Sequence, residues 1–368
     1  MKKVGVVGWR GMVGSVLMER FRTEADFKHF EPVFFTTSQE GKPGPDVGKG
    51  SAPLVSATSL ETLSAMDIIV SCQGGDYTEA VHPKLRDSGW QGYWIDAAST
   101  LRMSENAAIV LDPVNRAQID RAIASGIKDF AGGNCTVSLM LMAINGLYQR
   151  DWVEWVNVAT YQAASGAGAR NMQELVRQMG HLGKIGEDLP IGSSILELDR
   201  AISEGLLSDD YPKDEFGAPL GGSLLPWIDR AVEGGRTREE WKGLAETNKL
   251  LGLQPPIAVD GICVRVGAMR CHSQALTIKL KQAIPLDQVN ATLASANDWV
   301  KVIPNSKQET VQALTPAAVT GKLTIAVGRV RTLAMGPEYL SCFTVGDQLL
   351  WGAAEPIRRM LLILLGQL

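Results

Sequence analysis

The first residues of the chain, MKKVGVVGWRGMVGSVLMERFR, restrict the fold more than any other stretch. Val4, Val6 and Val7 form a short β-branched run, glycines follow at 8, 11 and 14, and Val13, Val16, Leu17 and Phe21 then recur at helical spacing. Strand, tight turn and helix in that order open a doubly wound α/β fold. EPVFFTTS, MDIIVSCQGG, GYWIDAAS and AAIVLDPVN read as further strands, with HPKLRDSGW as an intervening helix. They predict a mostly parallel sheet over roughly the first 130 residues. After Cys135 the pattern lengthens. WVNVATYQAASG, ICVRVGAMRCHSQALTIKLK and LTIAVGRVRTL are strand candidates that alternate with amphipathic helices such as REEWKGLAETNKLLG. A second, mixed α/β domain with a more antiparallel sheet is expected there. EFGAPLGGSLLPWID, Glu215 to Asp229, reads as a long irregular connection, and EPIRRMLLILL as a helix returning to the first domain. The expected division is 1–133 plus 355–368 for the first domain and 134–354 for the second.

At 368 residues, 45% hydrophobic and 21% charged, the chain is long enough for two cores. A net charge of -4, with no block of Lys or Arg, argues against nucleic acid or an anionic membrane surface as partner and leaves small molecules. The apolar residues after Lys2 and Lys3 are broken by glycines and Arg10, a poor signal-peptide core. MLLILLGQL falls far short of the roughly 20 residues that span a bilayer. The five cysteines, at 72, 135, 263, 271 and 342, include no CxxC pair, and there are four histidines. That suits neither a disulfide framework nor a structural zinc site, so a reduced cytoplasm and no metal are expected.

Gly8-Trp9-Arg10-Gly11-Met12-Val13-Gly14 departs from GxGxxG in the spacing of its first two glycines. Glycine clusters also close turns that bind nothing. With a strand before it and a helix after it, however, the turn aims backbone N–H groups and a helix N-terminus at a pyrophosphate, which points to a dinucleotide. The second strand ends Thr36-Thr37-Ser38, without the acidic residue that bonds a ribose 2'-hydroxyl and repels a 2'-phosphate. Hydroxyls and amides there favour NADP over NAD, although the same residues also suit an ordinary strand-end turn.

AGGNCTVSLMLMAING sets Cys135 between a glycine turn and an apolar helix. A buried helix cysteine is commonly a small hydrophobe. At a helix N-terminus, though, the thiolate is favoured, and a pKa below the free value of roughly 8.5 is expected. The Asn134 side chain and the first-turn N–H groups are candidate donors to a developing oxyanion.

Together, GGNCTVSLMLMA, TYQAASGAG, REEWKGLAETNK, VDGICVRVGAMRCHSQALTIKL and FTVGDQLLWGAAEPIRRML resemble the aspartate-β-semialdehyde dehydrogenase family, in its longer, Gram-negative bacterial branch, from end to end. The resemblance implies a Rossmann-like nucleotide domain joined to a catalytic and dimerisation domain of the glyceraldehyde-3-phosphate-dehydrogenase type. It implies Cys135 as nucleophile and His272 as acid/base residue, whose unperturbed pKa lies near neutrality. Arg265 is implied to fork onto the substrate α-carboxylate, Glu239 to hold the α-amino group, Gln162 to position the acyl group beside Asn134, and Arg102 with Lys242 to bind phosphate. Spacing alone allows Glu239 and Lys242 to be a solvated helix pair, and it leaves open whether Glu239 or Glu246 faces the substrate. The implied cofactor contacts are Gly8, Arg10, Gly11, Met12, Val13, Thr37, Ser38, Gln73, Ser165, Gly166 and Gln348. The implied assembly is a homodimer, and the implied reaction is NADPH-dependent conversion of L-aspartyl 4-phosphate to L-aspartate 4-semialdehyde. That step serves lysine, diaminopimelate, methionine and threonine synthesis. Two alternatives stand beside it: another acyl-phosphate reductase, for which a residue binding an amino group has no use, and a non-catalytic NADP-binding redox sensor that switches through Cys135.

Overall fold

The computed structural model describes residues 1–48 and 50–368. β1 (Lys3–Val7) is buried on both faces after its first residue, which is why its sequence is a continuous apolar run. Around it lie β2 (Glu31–Thr36), β3 (Val55–Ser56), β4 (Ile68–Ser71), β5 (Tyr93–Asp96), β6 (Ala107–Val110) and β7 (Asp129–Gly132). They form one sheet in the order β3-β2-β1-β4-β5-β7-β6. Every pairing in it is parallel. β1 pairs with β2 on one side and β4 on the other, so the glycine turn leaves the sheet where the strand order reverses. The connecting helices are α1 (Met12–Thr23), α2 (Leu60–Ser64), α3 (Gly75–Asp87) and α4 (Asp112–Ala124). α3 begins seven residues before the expected HPKLRDSGW, at Gly75, and runs through Pro83.

α5 (Cys135–Gln149) follows β7 directly and is buried along nearly its whole length. The second sheet contains β8 (Val153–Gln162), β9 (Leu224–Leu225), β10 (Ala258–Val266), β11 (Cys271–Leu280), β12 (Val300–Val302), β13 (Ile325–Leu333) and β14 (Gly336–Asp347). Their order is β12-β13-β14-β11-β8-β10-β9. β10 runs parallel to β8 and β12 to β13, while the other pairings are antiparallel. The remaining helices are α6 (Ala169–Asp188), α7 (Ile195–Leu207), α8 (Arg238–Leu251), α9 (Leu286–Ala294), α10 (Lys307–Ala313), α11 (Pro316–Val319) and α12 (Glu355–Leu364). Leu139, Leu141 and Ile144 of α5 share a core with Val156, Leu276 and Val327 of the sheet. α12 inserts Ile357, Met360 and Leu361 among Val4, Phe21 and Ile68 of the first sheet's core, so the chain's end returns to its beginning.

One strand expectation is corrected. ICVRVGAMRCHSQALTIKLK is not a single strand: the apolar alternation breaks at Gly267-Ala268-Met269-Arg270, and β10 and β11 flank β8 without touching each other. The connection arches over the end of β8, where Ala164 N–H donates to Ala268 O at 2.8 Å and Ser165 N–H to Met269 O at 3.0 Å. This crossover places Gln162, Arg265 and His272 at one end of three adjacent strands. The face of the sheet turned away from α5 is open and carries Trp155, Tyr161, Ile262, Tyr339 and Phe343, with Tyr161 37% and Ile262 48% exposed.

Candidate active site

Two clefts meet at the turn between β1 and α1. Gly8 has φ +73°, and a Cβ there would lie 2.5 Å from the Cys72 carbonyl carbon, so only glycine lets this turn pass the end of β4. Gly11, the N-cap of α1, has no side chain to bond the first-turn N–H groups, which leaves them for an anion. The outer cleft, about 530 Å³, is lined by Gly8, Trp9, Arg10, Gly11, Thr36, Thr37, Cys72 and Gln73 among others, none of them acidic. The Arg10 guanidinium lies 5.4 Å from the Trp9 ring centroid, donates to Thr36 Oγ1 at 3.3 Å and bonds the Gln39 side chain. Thr36 Oγ1 also accepts from the Ser38 and Gln39 amides, which fixes the strand end. Thr37 is on the cleft wall, whereas Ser38 is exposed just beyond it and Met12 begins α1. The cleft thus offers glycine amides, a free helix terminus and a guanidinium, a donor set that fits a nucleotide with phosphates.

The inner cavity, about 440 Å³, is walled by Val13, Arg102, Asn134, Cys135, Gln162, Gly166, Asp229, Glu239, Lys242, Arg265, Gln348 and Gly352 among others. His272 is 1% exposed behind the sulfur, with Nε2 at 3.3 Å from Cys135 Sγ. Its Nδ1 accepts the Ala163 N–H at 3.0 Å, so in the neutral ring the proton sits on Nε2 and faces the sulfur. Gln162 and Arg265 are register partners on β8 and β10. Arg265 donates to Ala163 O at 2.8 Å, yet among the described residues no carboxylate lies within 4 Å of this buried guanidinium. Burial lowers its pKa, and the neighbouring Cys135 and Glu239 offset that only in part. Ser165 does not line the cavity but donates to Gln348 Oε1 at 2.8 Å and so steadies Gln348, which does.

Lys242 Nζ bonds Glu239 Oε2 at 2.9 Å and Asp229 Oδ2 at 3.1 Å. Burial lowers the Lys242 pKa, but the two carboxylates outweigh it and the net shift is upward, which keeps the ammonium charged. For Glu239, burial raises the pKa, while Lys242 and Asn134 more than reverse this and hold the carboxyl below its usual range. Glu239 Oε1 also accepts from Asn134 Nδ2 at 2.9 Å and Gln162 Nε2 at 3.3 Å. Of the two glutamates, Glu239 faces the cavity and Glu246 lies behind it. Glu246 accepts from Arg102 Nη1 at 3.2 Å and from the Asn134 N–H at 2.6 Å.

Two expectations about Cys135 change. Burial, reinforced by the Glu239 charge, pushes the thiol up to about 12, and Lys242, Arg265 and Arg102 only partly compensate. Burial, together with Arg265, drives His272 down to about 3. With the thiol raised and the imidazole lowered in this way, the free site holds both groups neutral at pH 7. The oxyanion donors are also fewer than expected. Asn134 Oδ1 caps Thr136 N–H at 3.0 Å and Val137 N–H at 3.1 Å, Asn134 Nδ2 is directed to Glu239, and Ser138 N–H bonds Asn134 O. In this first turn only the Cys135 N–H has no protein acceptor among the described residues.

Comparison with known proteins bears on this arrangement. The model of the semialdehyde dehydrogenase NAD-binding domain matches residues 3–122, and that of the semialdehyde dehydrogenase dimerisation domain matches residues 144–351. The solved aspartate semialdehyde dehydrogenase from Francisella tularensis is 50% identical, with 99% of this chain and 100% of that one covered and a TM-score of 0.94. The chain belongs to the aspartate semialdehyde dehydrogenase family. The fold persists in far more distant structures. Aspartate semialdehyde dehydrogenase II complexed with ASA from Vibrio cholerae is 24% identical, covering 99% and 98% of the two chains at a TM-score of 0.80. The Candida albicans enzyme with NADP is 15% identical over the full length of both chains, at 0.65.

As a member of the aspartate semialdehyde dehydrogenase family, the chain is an oxidoreductase of amino-acid biosynthesis with a Rossmann-type NAD(P)-binding domain. Among the described residues no helix is long and apolar enough to cross a membrane, and no group of His, Cys, Asp or Glu is arranged to hold a metal. The structure adds three residues to the site. Asp229 reaches Lys242 from the end of the irregular connection, and Glu246 ties Arg102 to the start of α5. Gly352 lies in a five-residue π-helical turn, Leu350–Ala354, where a Cβ would come within 2.9 Å of Cys135 Cβ. Only the pairing of Glu246 with a nearby lysine was visible beforehand; Asp229 and Gly352 carry no local signal.

Proposed function

We propose that the enzyme carries out NADPH-dependent reductive dephosphorylation of L-aspartyl 4-phosphate to L-aspartate 4-semialdehyde through a thioester on Cys135. The observation that carries this is Arg265: a buried guanidinium that, among the described residues, is bonded only to a backbone carbonyl, on the wall that also holds Cys135. A buried charge without a counter-ion is costly unless a ligand supplies one, and a planar α-carboxylate matches the guanidinium fork. Glu239 supplies the opposite charge for the α-amino group, which favours a free amino acid over an N-acylated or uncharged acyl phosphate. Arg102 and Lys242 hold the phosphate on the far side of the sulfur.

With the acyl carbon against Sγ, the thiol adds and the phosphate leaves, taking the thiol proton with it. Gln162 and Asn134 keep the acyl group in place, and the Cys135 N–H and His272 Nε2–H donate to the tetrahedral oxygen. Bound NADPH supplies the hydride that reduces the thioester carbon. When the aldehyde leaves, a proton from solvent returns to the sulfur at the 3.3 Å contact with Nε2. Gly8, Arg10, Gly11, Met12, Val13, Thr37, Ser38 and Gln73 hold the nucleotide, with Arg10 and the hydroxyls at the 2'-phosphate, while Gly166 and Gln348 face the nicotinamide end.

The nucleotide unit is 1–133 with 355–368, and 134–354 is the catalytic and dimerisation unit. The open apolar sheet face around Tyr161 and Ile262 is the proposed surface of a cytoplasmic homodimer. The pathway position is lysine, diaminopimelate, methionine and threonine synthesis. The test is NADP reduction with L-aspartate 4-semialdehyde. The proposal requires absorbance to rise only when phosphate is present, and equal rates with and without phosphate would contradict it.

A further inference from the structure

The contact between Asp229 and Lys242 has no place in the chemistry above. Lys242 already has a carboxylate partner, Glu239, three residues away on the same helix. Asp229 brings a second, across 13 positions, with its side chain on the cavity wall. It is held there at a cost: Asp229 has φ +71°, a left-handed conformation that disfavours a side chain. Its neighbours enforce it. Arg230 N–H bonds Asp229 Oδ1 at 2.8 Å, Arg238 N–H bonds Arg230 O at 2.8 Å, and Ala231 pairs with Thr237 in an antiparallel bridge. These contacts clip the end of the irregular connection to the N-terminus of α8, the helix that carries Glu239 and Lys242.

The charges explain what such a carboxylate can do. Arg102, Lys242 and Arg265 line the cavity with positive charge and Glu239 and Asp229 with negative, while Glu246 pairs with Arg102 from behind and Arg238 also acts on Asp229, so the charge at Lys242 is already opposed before any ligand arrives. Asp229 is 27% exposed at its side chain, more than either glutamate, and is the anion most open to an entering ligand. An arriving phosphate needs the same ammonium and repels the same carboxylate.

We propose that Asp229 is a competing carboxylate in the phosphate subsite, holding Lys242 when the subsite is free and yielding it to a phosphate oxygen, so that phosphate binds weakly enough to leave. The inference rests on the proposed role of Lys242 in phosphate binding. It assigns to Asp229 a cost in phosphate affinity, the reverse of what a residue that merely orients Lys242 would contribute.

Asp229→Asn is the informative variant, because asparagine tolerates the left-handed backbone and keeps the oxygen that accepts from Arg230. Two measurements are made on it and on wild type: KM for inorganic phosphate in the NADP-reducing direction, and protection of Cys135 from iodoacetamide by inorganic phosphate without turnover. Both should shift to lower phosphate concentration, on the order of tenfold. Asp229→Glu, which keeps the charge, should stay within a few-fold of wild type. An unchanged or raised phosphate requirement in Asp229→Asn overturns the proposal, even if that variant is less stable. If wild type fails to oxidise L-aspartate 4-semialdehyde but phosphate still protects Cys135, the proposed function is wrong, and the protection measurement decides the role of Asp229 by itself.

Discussion

The two ends of the inner cavity treat positive charge differently. At one end Arg102 and Lys242 each have buried carboxylate partners. At the other, Arg265 has only a carbonyl oxygen among the described residues. In the proposed reaction the phosphate is a leaving group, so a neutralised subsite keeps it from being bound too tightly. The α-carboxylate stays on the substrate throughout, so a bare guanidinium can spend its full charge on holding it. Under the proposed reaction, the pairing pattern of the cations would separate the group that departs from the group that remains.

Cys135 lines the same cavity, and removal of its sulfur has the largest expected effect. Cys135→Ala should reduce turnover to background while NADP affinity, measured by fluorescence, stays within a few-fold, since the outer cleft is lined by residues between Gly8 and Gln73 and not by Cys135. Activity near wild type would end the covalent account. The environment that both ends create is read by pH. Because the thiol is raised to about 12, the thiolate fraction grows throughout the neutral and mildly alkaline range. Alkylation at Cys135, followed by mass spectrometry, should climb about tenfold per pH unit between roughly pH 7 and 9. A plateau near pH 8.5 would instead show that the helix terminus prevails over burial.

Next in size is Arg265→Lys, which keeps the charge but loses the fork and should cost on the order of 2 to 4 kcal/mol in kcat/KM. Glu246→Gln tests the paired end. It leaves Arg102 without its buried anion, so denaturant unfolding should show a loss of roughly 1–3 kcal/mol. Its effect on phosphate KM should be smaller than that of Asp229→Asn, because Glu246 is behind the cavity wall. A stability equal to wild type would mean that Arg102 finds another anion. The smallest effect is expected in the outer cleft. Ser38→Asp should lower kcat/KM for NADPH roughly tenfold and spare NADH, through repulsion of the 2'-phosphate. Equal losses would show that this strand end does not read the ribose.

The parts of this comparison were unequally legible in the sequence. The β1–α1 start, the parallel sheet and the helix behind Cys135 follow from local periodicity, which depends on neighbours in the chain. The site around Lys242 does not. Asp229 reaches it through an irregular connection, and nothing in EFGAPLGGSLLPWID indicates which residue turns inward. Glu239 and Glu246 lie two helical turns apart, close to one face, and both precede a lysine by three residues, so only the packing of α8 against α5 distinguishes them. The long strand candidate failed for a related reason: β-propensity on either side of Gly267-Ala268 cannot reveal that β8 lies between its two halves. The thiol pKa departs from what a helix N-terminus alone implies because burial and the Glu239 charge are properties of the folded site.

The central claim is that the unpaired Arg265 reads the α-carboxylate, and it is tested most directly by removing that carboxylate from the substrate. Steady-state kcat/KM would be measured for wild type and Arg265→Lys with L-aspartate 4-semialdehyde and with 3-aminopropanal, which lacks the group, under saturating NADP and phosphate. The account predicts that the substitution penalises only the first substrate, and that wild type and variant use 3-aminopropanal equally poorly. An equal loss with both substrates would contradict it, because Arg265 would then be supporting the site without touching the carboxylate.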